Sequence, residues 1–154
     1  MFFDGSKSKN GAGGGTMLVS HYGDKYFFSF WLSFACSNNV AEYEGLIQGP
    51  ESAKKRGIEC IKVYGDSELI VNQVRGLNAE KNDTLKLYKN WIWDIIEIFF
   101  AFNIVSIPRN QNQHADRLAV VGAQFDIPIE ISKDNIYLHV KIIVRPSIPD
   151  NHTN

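Results

Sequence analysis

The segment from Cys60 to Val74, CIKVYGDSELIVNQV, constrains what this chain can fold into more than any other stretch. Ile61, Val63 and Tyr64 make a short β-branched and aromatic run, the composition of a buried strand. Gly65 ends the run, Asp66 follows, and Ser67 opens a segment with Leu69, Ile70, Gln73 and Val74 at helical spacing. Asp66 therefore stands where a strand gives way to a helix, the edge at which α/β sheets place their chemistry. Taken alone, such an aspartate reads as a helix cap whose side-chain oxygen accepts a backbone N–H. Acidic residues elsewhere in the chain supply a second reading.

Upstream, Phe2 and Phe3 end a strand that runs into Asp4. GSKSKNGAGGG reads as the turn of a hairpin; with no GKS or GKT and no helix opening after it, it is not a phosphate-cradling loop. Thr16 to Ser20 and Tyr26 to Phe34 read as two further strands, so the chain opens with an antiparallel meander. From Asn39 the period changes, with Tyr43, Leu46, Ile47 and Ala53 on one apolar helical stripe. At about 100° per residue, Glu42 falls on the flank of that stripe and Glu44 points away, toward solvent. Pro50 predicts a kink or an early helix end, because within a helix it removes a hydrogen bond at a cost of about 3 kcal/mol.

Downstream of the central segment, RGLNAEKND is a polar connection. Leu85, Tyr88, Ile92, Ile95, Ile96 and Phe99 mark an amphipathic helix capped by Asp83. Trp91 and Trp93 read as core rather than as base-stacking platforms. Phe102 to Ile107 is a strand stopped by Pro108, RNQNQ is a loop, and Ala115, Leu118, Ala119 and Gly122 indicate a short last helix with Asp116 on its flank. Ile136 to Val144 can pair as a strand, and RPSIPDNHTN reads as linker or tail.

With 154 residues there is room for one domain with a real core. A formal net charge of −1 gives no global field that draws the protein to nucleic acid, so any such binding rests on a local patch. Cys36 and Cys60 form neither a disulfide framework nor a zinc pattern. The chain shows no secretory leader and no apolar run of transmembrane length, which points to an intracellular, non-secreted protein.

Four acids fall at comparable places: Asp4 leaving the first strand, Glu42 early in the first helix, Asp66 leaving the fourth strand, and Asp116 on the last helix. If the first and fourth strands are neighbours, all four carboxylates can meet at one sheet edge. Like charges so crowded raise one another's pKa. A hard divalent cation relieves that, and Mg²⁺ suits a few carboxylates and a phosphate.

FFDGS, SNNVAEYEGL, KVYGDSELIVNQV and IPRNQNQHADRLA, in that order, resemble the ribonuclease H domain of plant gypsy-type LTR retrotransposon polyproteins. The resemblance implies an α/β ribonuclease H-like fold: a five-stranded mixed sheet, with the three-strand meander and parallel strands, flanked by helices. It runs from about Phe2 to Ala123, which makes residues 1–124 the ribonuclease H-like domain and leaves 125–154 as a C-terminal extension or linker. It implies an endonuclease that hydrolyses the RNA strand of RNA–DNA hybrids, leaving a 3′-hydroxyl and a 5′-phosphate. Asp4, Glu42, Asp66 and Asp116 would be the catalytic and metal-binding acids, holding two Mg²⁺ ions, with Mn²⁺ as an alternative. These would activate the attacking water and stabilise the leaving oxygen. Hybrid contacts would fall at Gly5, Ser6, Ser37, Asn38, Asn39 and Ser67, with the asparagine amides reading minor-groove edges and 2′-hydroxyls. Other partners would be the adjoining reverse transcriptase and integrase regions of a polyprotein, and the domain itself is expected to be monomeric.

The chain departs from that pattern in places. Glu68 replaces a hybrid-contacting glutamine, Arg109 and the RNQNQ loop stand where the family places a mobile histidine, and no basic protrusion is present. Only three residues precede Asp4, so a truncated start is expected, and RPSIPDN resembles the connector toward integrase. The alternative, favoured by the short first strand, Pro50 and the near-neutral charge, is a catalytically inactive module of the same fold that at most binds nucleic acid.

Overall fold

The computed structural model describes residues 1–9, 11–124, 130–133 and 136–150. Strands β1 (Phe2–Ser8), β2 (Gly11–Val19) and β3 (Lys25–Leu32) form the expected antiparallel meander. The glycine-rich run is not its turn, as the sequence suggests, but the first half of β2. The reason lies in what covers that strand. A Cβ on Gly15 would stand 2.3 Å from the Ala115 carbonyl oxygen, and one on Gly13 would stand 2.2 Å from the Ala123 nitrogen. Both neighbours belong to helix α4 (Gln113–Ala123), which lies on β2 with no side chain between the two backbones.

The other face carries helix α1 (Asn38–Lys55). Thr16 Oγ1 donates 2.6 Å to the Gly45 carbonyl and fixes the helix to β2. Pro50 does not end α1, which runs on to Lys55. Its ring imposes a helical φ, so only one hydrogen bond is lost, and Leu46, Ile47 and Ala53 around it are fully buried. Glu44 also departs from expectation: it is not solvated but wholly buried, because α3 and the end of the chain cover the far side of α1.

β4 (Cys60–Gly65) lies parallel to β1, and β5 (Ala101–Ser106) lies parallel to β4. Between them run α2 (Glu68–Val74) and α3 (Asp83–Ile96). Asn82, not Asp83, caps α3, accepting the Leu85 N–H at 3.1 Å. Asp83 follows in the first turn, where a negative charge favours the helix dipole. Trp91 is half-buried against the core, whereas Trp93 is 41% exposed and donates its indole N–H to the Val74 carbonyl at 2.8 Å.

The sheet is wider than the five strands expected. β7 (Ile136–Ile143) pairs parallel with β3 along its whole length, and β6 (Glu130–Lys133) pairs antiparallel with β7. Among the described residues the sheet has seven strands in the order β5-β4-β1-β2-β3-β7-β6. The first five keep the expected mixed arrangement with helices on both faces. Residues 144–150 continue as irregular chain, and the rest of the expected tail, 151–154, lies outside the described residues. Among the described residues no helix is long and apolar enough to cross a membrane.

Candidate active site

β1 and β4 are neighbours, so Asp4 and Asp66 reach the same sheet edge. Asp4 is buried within β1, in register with Gly15, and the Gly5 N–H donates to its Oδ1 at 2.9 Å. Asp66 follows β4 directly. Its side chain does not cap α2; Ser67 does, accepting the Ile70 N–H at 3.3 Å. The bland reading of Asp66 therefore fails, and its carboxylate is left for other work.

Gly5 brings in the third acid. A Cβ there would lie 2.3 Å from the Glu42 nitrogen, so its absence lets the start of α1 settle directly onto β1. Single carboxylate oxygens of Asp4, Glu42 and Asp66 all lie within 4.8 Å of one another. Asp116, in the first turn of α4, does not meet that spacing with all three, but it approaches Asp4 closely enough for the two carboxyl groups to share a hydrogen bond. Its Oδ1 is 3.7 Å from the Arg109 guanidinium.

The crowding has a clear electrostatic consequence. Burial, then the charge of Asp66, pushes Asp4 up to about 7; the Gly5 N–H works against this, and Asp116 adds to it. Burial, then Asp4 and Asp66, pushes Glu42 up to about 8, with Arg109 pulling the other way. Three carboxylates so placed either retain protons or share a cation. An all-oxygen donor set of this charge fits a hard divalent ion.

Sequence reasoning missed one residue at this site. Asn112 is 1% exposed, and its Nδ2 donates to Asp66 Oδ2 at 3.0 Å and to the Phe3 carbonyl at 2.9 Å. It spends no side-chain bond on capping α4, although it sits at the cap position. A single amide thus ties the loop before α4 to β1 and orients Asp66. Its position four residues ahead of Asp116, in a loop otherwise rich in exposed polar residues, is the only sequence signal it offers.

Ser37 caps α1, accepting the Val40 N–H at 3.2 Å, and is exposed, as is Asn38; Asn39 and Ser6 are half-buried. Ser67 holds the start of α2. Gly5 contributes space for α1 rather than a side chain. A groove of about 790 Å³ leads away from Ser37, lined by Lys7, Lys9, Trp31, Ser33 and Cys36. A second cleft of about 460 Å³ lies between Asp66, Glu68, Ser106, Pro108 and Arg109.

Comparison with known proteins agrees with this geometry. Residues 2–121 match the family described as reverse transcriptase-like. The ribonuclease H1 of Halobacterium salinarum superposes with a TM-score of 0.71 at 29% identity, covering 80% of this chain and 95% of that one. LC11-RNase H1, solved in complex with an RNA/DNA hybrid, gives a TM-score of 0.70 at 31% identity, covering 80% and 94%. A bifunctional protein of Mycobacterium tuberculosis is 43% identical over 84 residues, 54% of this chain, and the chain spans only 23% of that relative's length. Fold, carboxylate cluster and matched residues together make this chain a ribonuclease H-like domain of the reverse transcriptase-like family.

Proposed function

We propose that this chain is an endonuclease that hydrolyses the RNA strand of RNA–DNA hybrids. The observation that carries the proposal is the convergence of Asp4, Glu42 and Asp66, from three separate elements, to within 4.8 Å at one sheet edge. These residues would hold two Mg²⁺ ions, or Mn²⁺, with Asp116 completing the set from α4. When bound, the metal supplies activation of a water nucleophile and neutralisation of charge on the phosphate.

The protein's own groups do the positioning. The Gly5 N–H and the Asn112 amide hold Asp4 and Asp66 in place. Arg109, at the lip of the cleft, offsets negative charge near Glu42 and Asp116. Ser37, Asn38 and Asn39 present hydroxyl and amide groups to the hybrid, where a 2′-hydroxyl distinguishes RNA from DNA. The groove with Lys7 and Lys9 suits the phosphates of the other strand, and supplies the local positive patch that a net charge of −1 requires.

The resemblance of the four motifs further supports origin in a gypsy-type retrotransposon polyprotein, with reverse transcriptase and integrase regions as neighbours. An intracellular, monomeric domain follows from the same reading. The second reading, a hybrid-binding module without activity, is favoured by the near-neutral charge of the chain. The test is nicking of an end-labelled RNA–DNA hybrid with Mg²⁺. Asp66→Asn should abolish cleavage with the circular dichroism spectrum unchanged. Cleavage that survives both Asp66→Asn and Glu42→Gln would remove this site from the mechanism, and binding without cleavage would establish the second reading.

A further inference from the structure

Glu44 is a buried acid that the proposed chemistry does not use. It is 0% exposed, two residues from Glu42 on α1. Its Oε1 accepts two hydrogen bonds, from the Tyr88 hydroxyl of α3 at 2.5 Å and from the Ser147 backbone N–H at 2.8 Å, and the Ser147 hydroxyl also favours the ionised carboxylate. Its Oε2 is buried with no hydrogen-bond partner among the described residues. One carboxylate oxygen thus joins α1, α3 and a segment more than a hundred residues away.

That segment lies beyond residues 2–121, which match the family. It leaves β7 after Ile143, whose carbonyl accepts the Ser33 N–H at 2.9 Å, and crosses to α1. Ser147 meets α1 at two successive turns, through Glu44 and through Gln48, whose Nε2 is 3.4 Å from the Ser147 hydroxyl. Ile148 then packs against the core. Residues 144–148 therefore run along the back of the helix whose front carries Glu42. On a helix Glu42 and Glu44 project roughly 160° apart, so a rotation that exposes one displaces the other.

We propose that residues 144–148 act as a strap that sets the seat of α1, with Ser147 and Glu44 as its fastening and Glu44 as a positioning residue for Glu42. A buried carboxylate stripped of one of its donors is strongly penalised. Without the Ser147 N–H, α1 should turn to hydrate Glu44, moving Glu42 away from Asp4 and Asp66. The activity readout rests on the nuclease reading above; the metal-binding readout does not.

The experiment compares the full chain with Ser147→Pro, which lacks the N–H, and Ser147→Ala, which keeps it. Tyr88→Phe, which removes the donor on α3, and Glu44→Gln, which keeps the accepting oxygen, complete the set. Each is measured for folding by circular dichroism, Mn²⁺ affinity by calorimetry, and hybrid cleavage against Mg²⁺ concentration. For folded Ser147→Pro and Tyr88→Phe, Mn²⁺ affinity and half-saturation by Mg²⁺ should weaken about tenfold, the usual scale for a group that orients a metal ligand. KM for hybrid should stay within about twofold, Glu44→Gln should behave like the parent, and Ser147→Ala, which keeps the N–H but loses the hydroxyl beside Glu44, should fall between the parent and Ser147→Pro. Parent-like metal dependence in folded Ser147→Pro would overturn the strap. An unfolded Ser147→Pro chain would overturn it equally, since the segment would then hold the whole fold rather than one helix. A parent that binds Mn²⁺ but cleaves nothing would sink the nuclease reading alone.

Discussion

The Tyr43 hydroxyl donates a 2.7 Å hydrogen bond to Gln73 Oε1, joining the helix that carries Glu42 to the helix that follows Asp66. Both side chains are essentially buried, and Gln73 Nε2 continues the network to Glu80. Tyr43→Phe keeps the ring, and with it the stack on Tyr88, but strands a buried carbonyl oxygen. The expected loss is about 1–3 kcal/mol. Urea titration should show a lower midpoint at an unchanged slope, as for a change of stability without a change of compactness.

Asn112 offers a sharper test of how the cup is held. Asn112→Ala leaves the Phe3 carbonyl without its side-chain donor and frees Asp66 from the amide that orients it. Hybrid cleavage should fall about tenfold or more, in keeping with loss of a residue that orients a ligand. Asn112→Asp should be worse, because it adds a further negative charge beside Asp66 and removes both N–H donors. Equal kcat in the two variants would argue that charge at this position is irrelevant.

The glycines of β2 carry a packing prediction. Gly15→Ala puts a methyl into the Ala115 carbonyl and the Ala119 nitrogen, 2.3 and 2.5 Å away, and both are helix backbone that cannot swing aside. A shift of α4 is required, with a cost of about 1–3 kcal/mol. Gly23→Ala is the control for space, since a Cβ there meets nothing, although its φ of +90° carries its own strain. A Gly15→Ala chain with parent stability would mean that α4 is less closely seated than it stands here.

These cases show which features could be read from the chain. Asp66 is legible because it sits where a strand gives way to a helix, a change written in consecutive residues; Asp4 does not leave its strand as expected but lies inside β1, and Glu42 lies inside α1, so only the resemblance of their motifs marks them. The glycines of β2 were misread as a turn because a strand that must accept a helix backbone looks, in isolation, like a flexible loop. Glu44 was assigned to solvent from the periodicity of α1 alone, whereas Tyr88 and Ser147, which bury it, come from 44 and 103 residues downstream. Asn112 was overlooked for the same reason: its partners are supplied by β1 and the end of β4, and local pattern carries no trace of them. The strand β7 was recognisable as a strand, but not as the partner of β3.

The raised carboxylates make stability depend on pH in a definite direction. Asp4 rises from 3.8 to about 7 and Glu42 from 4.5 to about 8, both chiefly through burial. Between the unfolded and folded values the native state binds more protons than the unfolded state, so stability falls as pH rises through that window. Glu44, also raised by burial, acts in the same sense. The Met1 amine, pushed down to about 6, acts in the opposite sense from about 6 to 8. The metal-free protein should therefore lose stability most steeply near pH 5–6. A cation that binds the deprotonated cup stabilises the fold more at pH 8 than at pH 5, because at low pH it must displace protons. Thermal melts across pH 5–8, with and without saturating Mg²⁺, should show the cation flattening the slope, and Asp4→Asn should remove most of that flattening. An equal Mg²⁺ increment at pH 5 and pH 8 would show that the ion binds elsewhere.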